Sequence, residues 1–239
     1  MRKMKRLLLI AAALLITNIS VFAASGFEAI VNVPLGLSVG IPTGTYEAID
    51  LGSMPGFDSG VTAQLGYMIG IGKIGVSILG ELGYSYDSYR YYYSEELVNF
   101  AKIKTTRSLY THSFQIGLLP KINIGQFAIG VGAGVKIPVS GYTISKVEGS
   151  VAGVEGSSSS GKTEFKRKDI EKMDRNVIPY MKVTFDYSFF FGNKMALNVG
   201  AYLGYDFGLA EKSYIDNEYT GVDSFDIGLQ LGLRFAPKL

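Results

Sequence analysis

Cysteine and tryptophan are absent from this 239-residue chain, and His112 is its single histidine. The lack of cysteine excludes disulfides, thiolate metal sites, a catalytic thiol and a lipid-modified N-terminal cysteine. One histidine without cysteine also leaves little to hold a transition metal, so no cofactor is expected. Beyond the N-terminus no apolar run approaches the ~18 residues of a membrane-crossing helix. Charge is sparse too, at 18% of residues, with 23 lysines and arginines against 21 aspartates and glutamates, and the small basic excess belongs to the N-terminus, so nucleic acid is not an expected partner.

The N-terminus reads as a secretory signal peptide. Arg2, Lys3, Lys5 and Arg6 precede the apolar run 7–16, then "TNISVFA" brings small-residue cleavage positions at Val21 and Ala23. Residues 1–23 are expected to be removed, leaving 24–239 as a single domain. The four leading basic residues go with the peptide, so 19 basic residues then face 21 acidic ones.

What the chain has in plenty is glycine (30), tyrosine (16), phenylalanine (14) and alternation. In "FDIGLQLGLRF", 225–235, every second residue is apolar and every residue between is polar or tiny. That period of two marks a β-strand with one oily face. The pattern recurs in eight segments: 27–41, 60–70, 74–86, 109–122, 127–139, 177–191, 195–209 and 225–235. The connections alternate as well. "GIGK" (70–73), "NIGQ" (123–126) and "GNK" (192–194) are tight hairpin turns, whereas 42–57, 87–108, 140–176 and 210–222 are long and polar. An even number of antiparallel strands with short turns at one end and long loops at the other predicts an all-β fold, an eight-stranded antiparallel up-and-down transmembrane β-barrel. Aromatics near the strand ends supply interfacial girdles.

The face opposite the oily one is mostly glycine, interspersed with polar side chains. In so narrow a barrel these fill the interior. Glu81, Asp186, Asp206 and Asp226 are expected to pair with Lys136, Lys182 and Arg234, joined by Gln230, because an unpaired ion in a tight interior is costly. The result is a plugged, hydrogen-bonded lumen.

Three motifs have duller explanations than their appearance suggests. "GSSSSGKT", 156–163, matches a phosphate-loop pattern, but that motif needs a following helix, and this one lies in the longest polar connection, as a flexible loop tip. His112 sits beside Ser113, yet neighbouring residues of a strand face opposite ways, so the two cannot form a triad on one surface. No catalytic residue is assigned, and the chain is expected not to be an enzyme. In "YSYDSYRYYYSEEL", 84–97, Tyr84 and Tyr86 read as girdle, while Tyr91, Tyr92 and Tyr93 are candidate surface-recognition residues.

The signal peptide, eight strands and loop rhythm resemble the small outer-membrane β-barrels of the OmpA, OmpX and OmpW type. The resemblance implies a monomer among outer-membrane lipid, inserted by the barrel-assembly machinery, with periplasmic termini and extracellular loops. Its roles would be structural or adhesin-like, the loops meeting a host or environmental ligand. A carrier or narrow channel for small hydrophobic solutes is the alternative, and a lipid-modifying barrel enzyme a weaker one. Many such barrels end on an aromatic residue; here Phe235 is followed by Ala236, Pro237, Lys238 and Leu239.

Overall fold

A computed structural model describes residues 25–48, 51–97, 101–151, 154–212 and 218–239. The expected signal peptide, 1–23, lies outside them. Eight long strands form the wall: β1 (Gly26–Thr43), β3 (Pro55–Ile71), β4 (Ile74–Leu97), β5 (Ala101–Ile124), β6 (Phe127–Val151), β8 (Ile178–Phe190), β9 (Met195–Asp206) and β11 (Tyr219–Phe235). Each is antiparallel to its neighbours in the order β1-β3-β4-β5-β6-β8-β9-β11, and β11 returns to β1 from Ala29↔Phe235 to Thr43↔Gly221. The sheet is therefore a closed ring without an edge, as a membrane-spanning sheet must be. Three short strands lie off the ring: β2 (Gly52–Ser53) on β4, β7 (Val154–Lys166) on β6, and β10 (Ala210–Lys212) on β11.

Alternation sorts the side chains as the sequence predicts. Val31, Leu35, Ile78, Phe114, Leu118, Val131, Met181, Leu203, Leu229 and Leu231 all project outward and are exposed. Their counterparts Asn32, Ser77, Gln115, Lys136, Asp186, Asn198 and Gln230 are buried inside. The outward set makes a continuous apolar belt that only lipid can solvate favourably, so the molecule is a transmembrane barrel. Aromatics border the belt, and Tyr187 packs its ring 4.6 Å from both Phe127 and Phe189 near the short turns. Two of those turns depend on a residue with positive φ, Gly72 (64°) and Gly125 (60°), the backbone state that two-residue hairpins require.

The opposite end differs from the sequence expectation. Segments 87–108 and 140–176 are not simple polar loops. β4 and β5 stay paired from Asp87↔Thr111 up to Leu97↔Ala101, and β6 continues into a hairpin with β7. The serine run of "GSSSSGKT" is a strand of that hairpin, so the flexible-tip reading is corrected. The oily alternation stops where the belt stops, but tyrosine, threonine and valine keep these arms strand-forming in water.

The β4–β5 arm leans over the mouth. Met54 donates its N–H to the Arg90 carbonyl at 3.1 Å, and the Ser38 hydroxyl donates to the Ser88 carbonyl at 2.8 Å. This carries Tyr89 into an apolar cluster with Ile170, Ile178, Leu209 and Val222. Leu209, read from the sequence as the last outward residue of its strand, is instead 5% exposed within this cluster, because β9 ends at Asp206.

Candidate functional site

Inside the ring, polar side chains are stacked in layers along the axis. Nearest the short turns, Arg234 from β11 lies 2.8 Å from Glu28 of β1 through Nε. Its other nitrogens donate to Asn123 Oδ1 at 2.8 Å and Ser188 Oγ at 3.0 Å. The Ser77 hydroxyl donates to Glu28, linking β4 to β1 with which it does not pair, and Asn123 of the neighbouring β5 donates to Ser77. Above it Ile30, Leu79 and Leu119 form a small apolar cluster.

The middle of the lumen holds two ion pairs. Lys121 Nζ is 2.8 Å from Asp186, both about 1% exposed. Asp186 also accepts from Gln230 at 2.5 Å and Asn198 at 3.2 Å. Lys182 reaches both carboxylate oxygens of Glu81 at 2.5 Å. Glu81 further accepts from Gln64 (2.8 Å), from the Tyr180 hydroxyl (3.0 Å) and from Gln115. Glycine opposite these groups supplies their space: a Cβ on Gly200 would fall on Asp186 Oδ1.

Toward the mouth acid predominates. Lys136 bridges Asp87 at 2.7 Å and Asp206 at 2.5 Å. Asp58 accepts the Ser88 N–H at 2.9 Å, and Asp226 takes the Ser224 hydroxyl. Beside Lys136 a polar cavity of about 60 Å³ remains, space for a few waters and no larger solute. Tyr89 then closes the top by donating its hydroxyl to Asp206 at 3.1 Å.

Above Tyr89 the mouth opens again as a cup of about 380 Å³. Leu109, Phe165, Ile170, Met173, Leu209 and Val222 line it, with Tyr46 and Tyr91 on one side, their rings 5.7 Å apart. Burial, and the neighbouring Tyr46, raise the Tyr91 hydroxyl above its ordinary pKa. Arg107, Asp169 and Glu211 stand at the cup's wall. The Lys166 backbone N–H, 3.0 Å from Asp169 Oδ2, holds that carboxyl below the ordinary aspartate range.

The architecture is a closed, antiparallel, eight-stranded transmembrane barrel. No protein-family model matches the chain. No curated protein does either. Solved structures do. The attachment invasion locus protein Ail of Yersinia pestis, in complex with the heparin analogue sucrose octasulfate, is 15% identical, with 87% of this chain and 99% of that one covered and a TM-score of 0.34. Neisserial surface protein A is 12% identical, over 89% and 98% of the two chains, with a TM-score of 0.31. The outer-membrane protease OmpT of Escherichia coli is 9% identical, over 88% and 96%, with a TM-score of 0.37. Likenesses this distant carry none of those proteins' roles to this chain. The presence of a protease among them does overturn one expectation: a barrel of this kind is no ground for holding that the chain is not an enzyme.

Of the residues singled out in the sequence, Glu81, Lys182, Asp186, Gln230, Lys136, Asp206 and Arg234 all lie in the lumen and are in contact with partners there. Asp226 lies there too, but bonds to Ser224 and forms no ion pair among the described residues. Tyr91 faces the cup, Tyr92 lies under the Lys104 ammonium (4.7 Å), and Tyr93 is exposed. His112 is on the outer rim, its Nδ1 2.6 Å from the Tyr84 hydroxyl, while Ser113 is buried on the other face. Sequence reasoning missed Glu28, Asp58, Asp87 and Lys121. Lys121 was detectable in principle: it holds the inward register of β5, two residues from the inward Leu119.

Proposed function

We propose that this chain is an outer-membrane barrel that acts at the cell surface, through its long hairpins and the mouth between them. The supporting observation is the blocked axis: ion-paired layers fill the lumen, and Tyr89 closes it on the side of the hairpins. A barrel so built offers a solute no path, whereas the β4–β5 and β6–β7 arms present a broad surface beyond the apolar belt. In this reading residues 1–23 direct export, the short turns face the periplasm, and the hairpins meet an environmental or host ligand.

Two measurements test it. An impermeant amine reagent applied to intact cells should label Lys102, Lys104, Lys146 and Lys162 on the arms and spare Lys73 and Lys194 at the turns. The purified protein should be electrically silent in planar bilayers. Steady single-channel conductance, or labelling of the turn lysines instead, defeats the proposal.

The carrier reading has one observation in its favour, the apolar walls of the mouth cup. Its floor is the Tyr89 cluster, so a solute entering there has no way on into the lumen.

A further inference from the structure

The cup borders a packed core, and it carries charges on its wall that the core does not use. Its volume of about 380 Å³ falls within the range of small-molecule sites, and its lining is mainly apolar with few polar groups. The floor is already a packed core, so the cup is not simply a gap between arms. Two charges on its wall stand apart from every ion pair among the described residues. Asp169 is accounted for by the Lys166 N–H and by Lys172, 3.6 Å away. Arg107 lies beside the Tyr91 hydroxyl and is in no ion pair among the described residues. Glu211, across the cup on β10, makes no ion pair among the described residues. One cation and one anion thus border the same apolar cavity without meeting each other.

Both side chains are exposed and meet water in the empty cup, and a ligand with one charge would use only one of them. A ligand that complements both has an anion for Arg107, a cation for Glu211 and an apolar body for Leu109, Met173 and Val222. We propose that the cup binds a small zwitterion with large apolar substituents, of the kind that a short apolar peptide with free ends represents. The guanidinium takes the carboxylate as a planar, two-pronged donor. The aromatic wall of Tyr46, Tyr91 and Phe165 supplies contact area at low entropic cost.

Three matched probes share one apolar body: the dipeptide Leu-Phe, its N-acetyl form (anion only) and its C-terminal amide (cation only). Each is titrated into the full-length protein in lipid nanodiscs while the methyl resonances of Leu109 and Val222 are followed. Leu-Phe should saturate both signals, and each blocked form should bind at least ten-fold more weakly. In Arg107→Ala the dipeptide and its amide should become equivalent; in Glu211→Gln the dipeptide and its N-acetyl form should. Both residues are at the exposed wall, so neither change threatens folding. Equal binding of all three probes, absence of binding by Leu-Phe, or shifts confined to the lipid-facing belt would overturn the proposal. Any of these leaves the surface-acting, closed-lumen reading to stand or fall by labelling and conductance.

Discussion

Tyr89 of β4 and Asp206 of β9 meet across the mouth of the barrel, hydroxyl to carboxylate, at 3.1 Å. Their strands are not neighbours in the ring, so the bond ties the leaning arm to the opposite wall. Tyr89→Ala removes a fully buried aromatic ring and should cost about 3–5 kcal/mol. Tyr89→Phe keeps the ring and drops the hydroxyl, and should cost about 1–3 kcal/mol. Urea unfolding in lipid vesicles measures both. Because the ion-paired layers below remain, Tyr89→Ala should still not conduct, and a conducting variant would show that Tyr89 alone is the seal.

Lys121 and Asp186 form the most enclosed ion pair of the lumen. Replacing one partner strands a buried charge, so Lys121→Met should destabilise by about 3–5 kcal/mol. Adding Asp186→Leu should recover much of that loss, since an apolar pair of similar volume needs no counter-ion. A double-mutant cycle read by the same unfolding assay checks it; additive losses would mean that the two groups do not act as a pair.

Leu231 faces lipid near the middle of the apolar stretch 225–235 of β11, flanked in sequence by the inward Gln230. Leu231→Arg should cost about 2–4 kcal/mol in a bilayer, the range for a charge on the lipid side near the midplane. Tolerance of this change in vesicle refolding would reverse the assignment of inside and outside.

The Asp169 carboxylate caps the chain at Lys166, and that hydrogen bond lowers its pKa. A lowered folded-state pKa means that the contribution is complete above the unfolded aspartate value and vanishes as pH falls through the folded one. The Lys166 amide should therefore stay protected from hydrogen exchange at neutral pH and lose protection only in acid, below the ordinary aspartate range. In Asp169→Asn, which keeps the acceptor without the charge, protection should no longer follow that titration. An unchanged pH profile in the variant would remove Asp169 as its cause.

The wall of the barrel was legible because lipid outside and a crowded lumen inside impose opposite demands on alternate residues. Wherever both demands act, as in 225–235, the sequence carries the pattern without a break. Lys121 escaped because Leu119 and Pro120 interrupt it: an apolar residue faces in, and a proline takes the outward place. Asp58 and Asp87 escaped for a different reason. They stand at the ends of the alternating runs, where strand and loop look alike, although the strands go on. The arms were read as loops because water on both sides removes the alternation that would have marked them. Asp226 was assigned to the right compartment and the wrong kind of partner: spacing shows which way a side chain points, and only three dimensions show what is there to meet it.

The seam between β1 and β11 has a consequence in time. It joins residues as distant in the chain as Ala29 and Phe235, along an unbroken register. Every other junction of the wall joins strands that are successive along the wall, β6 and β8 being separated in the chain by the β7 hairpin arm. The first strand must therefore wait for the last, and until then both carry open hydrogen-bonding edges that could accept a foreign strand. Contacts of such sequence separation are the slow ones to form. The interval between synthesis and closure, rather than the finished barrel, is when this chain is most vulnerable to aggregation, and when a chaperone or membrane catalyst would help it most.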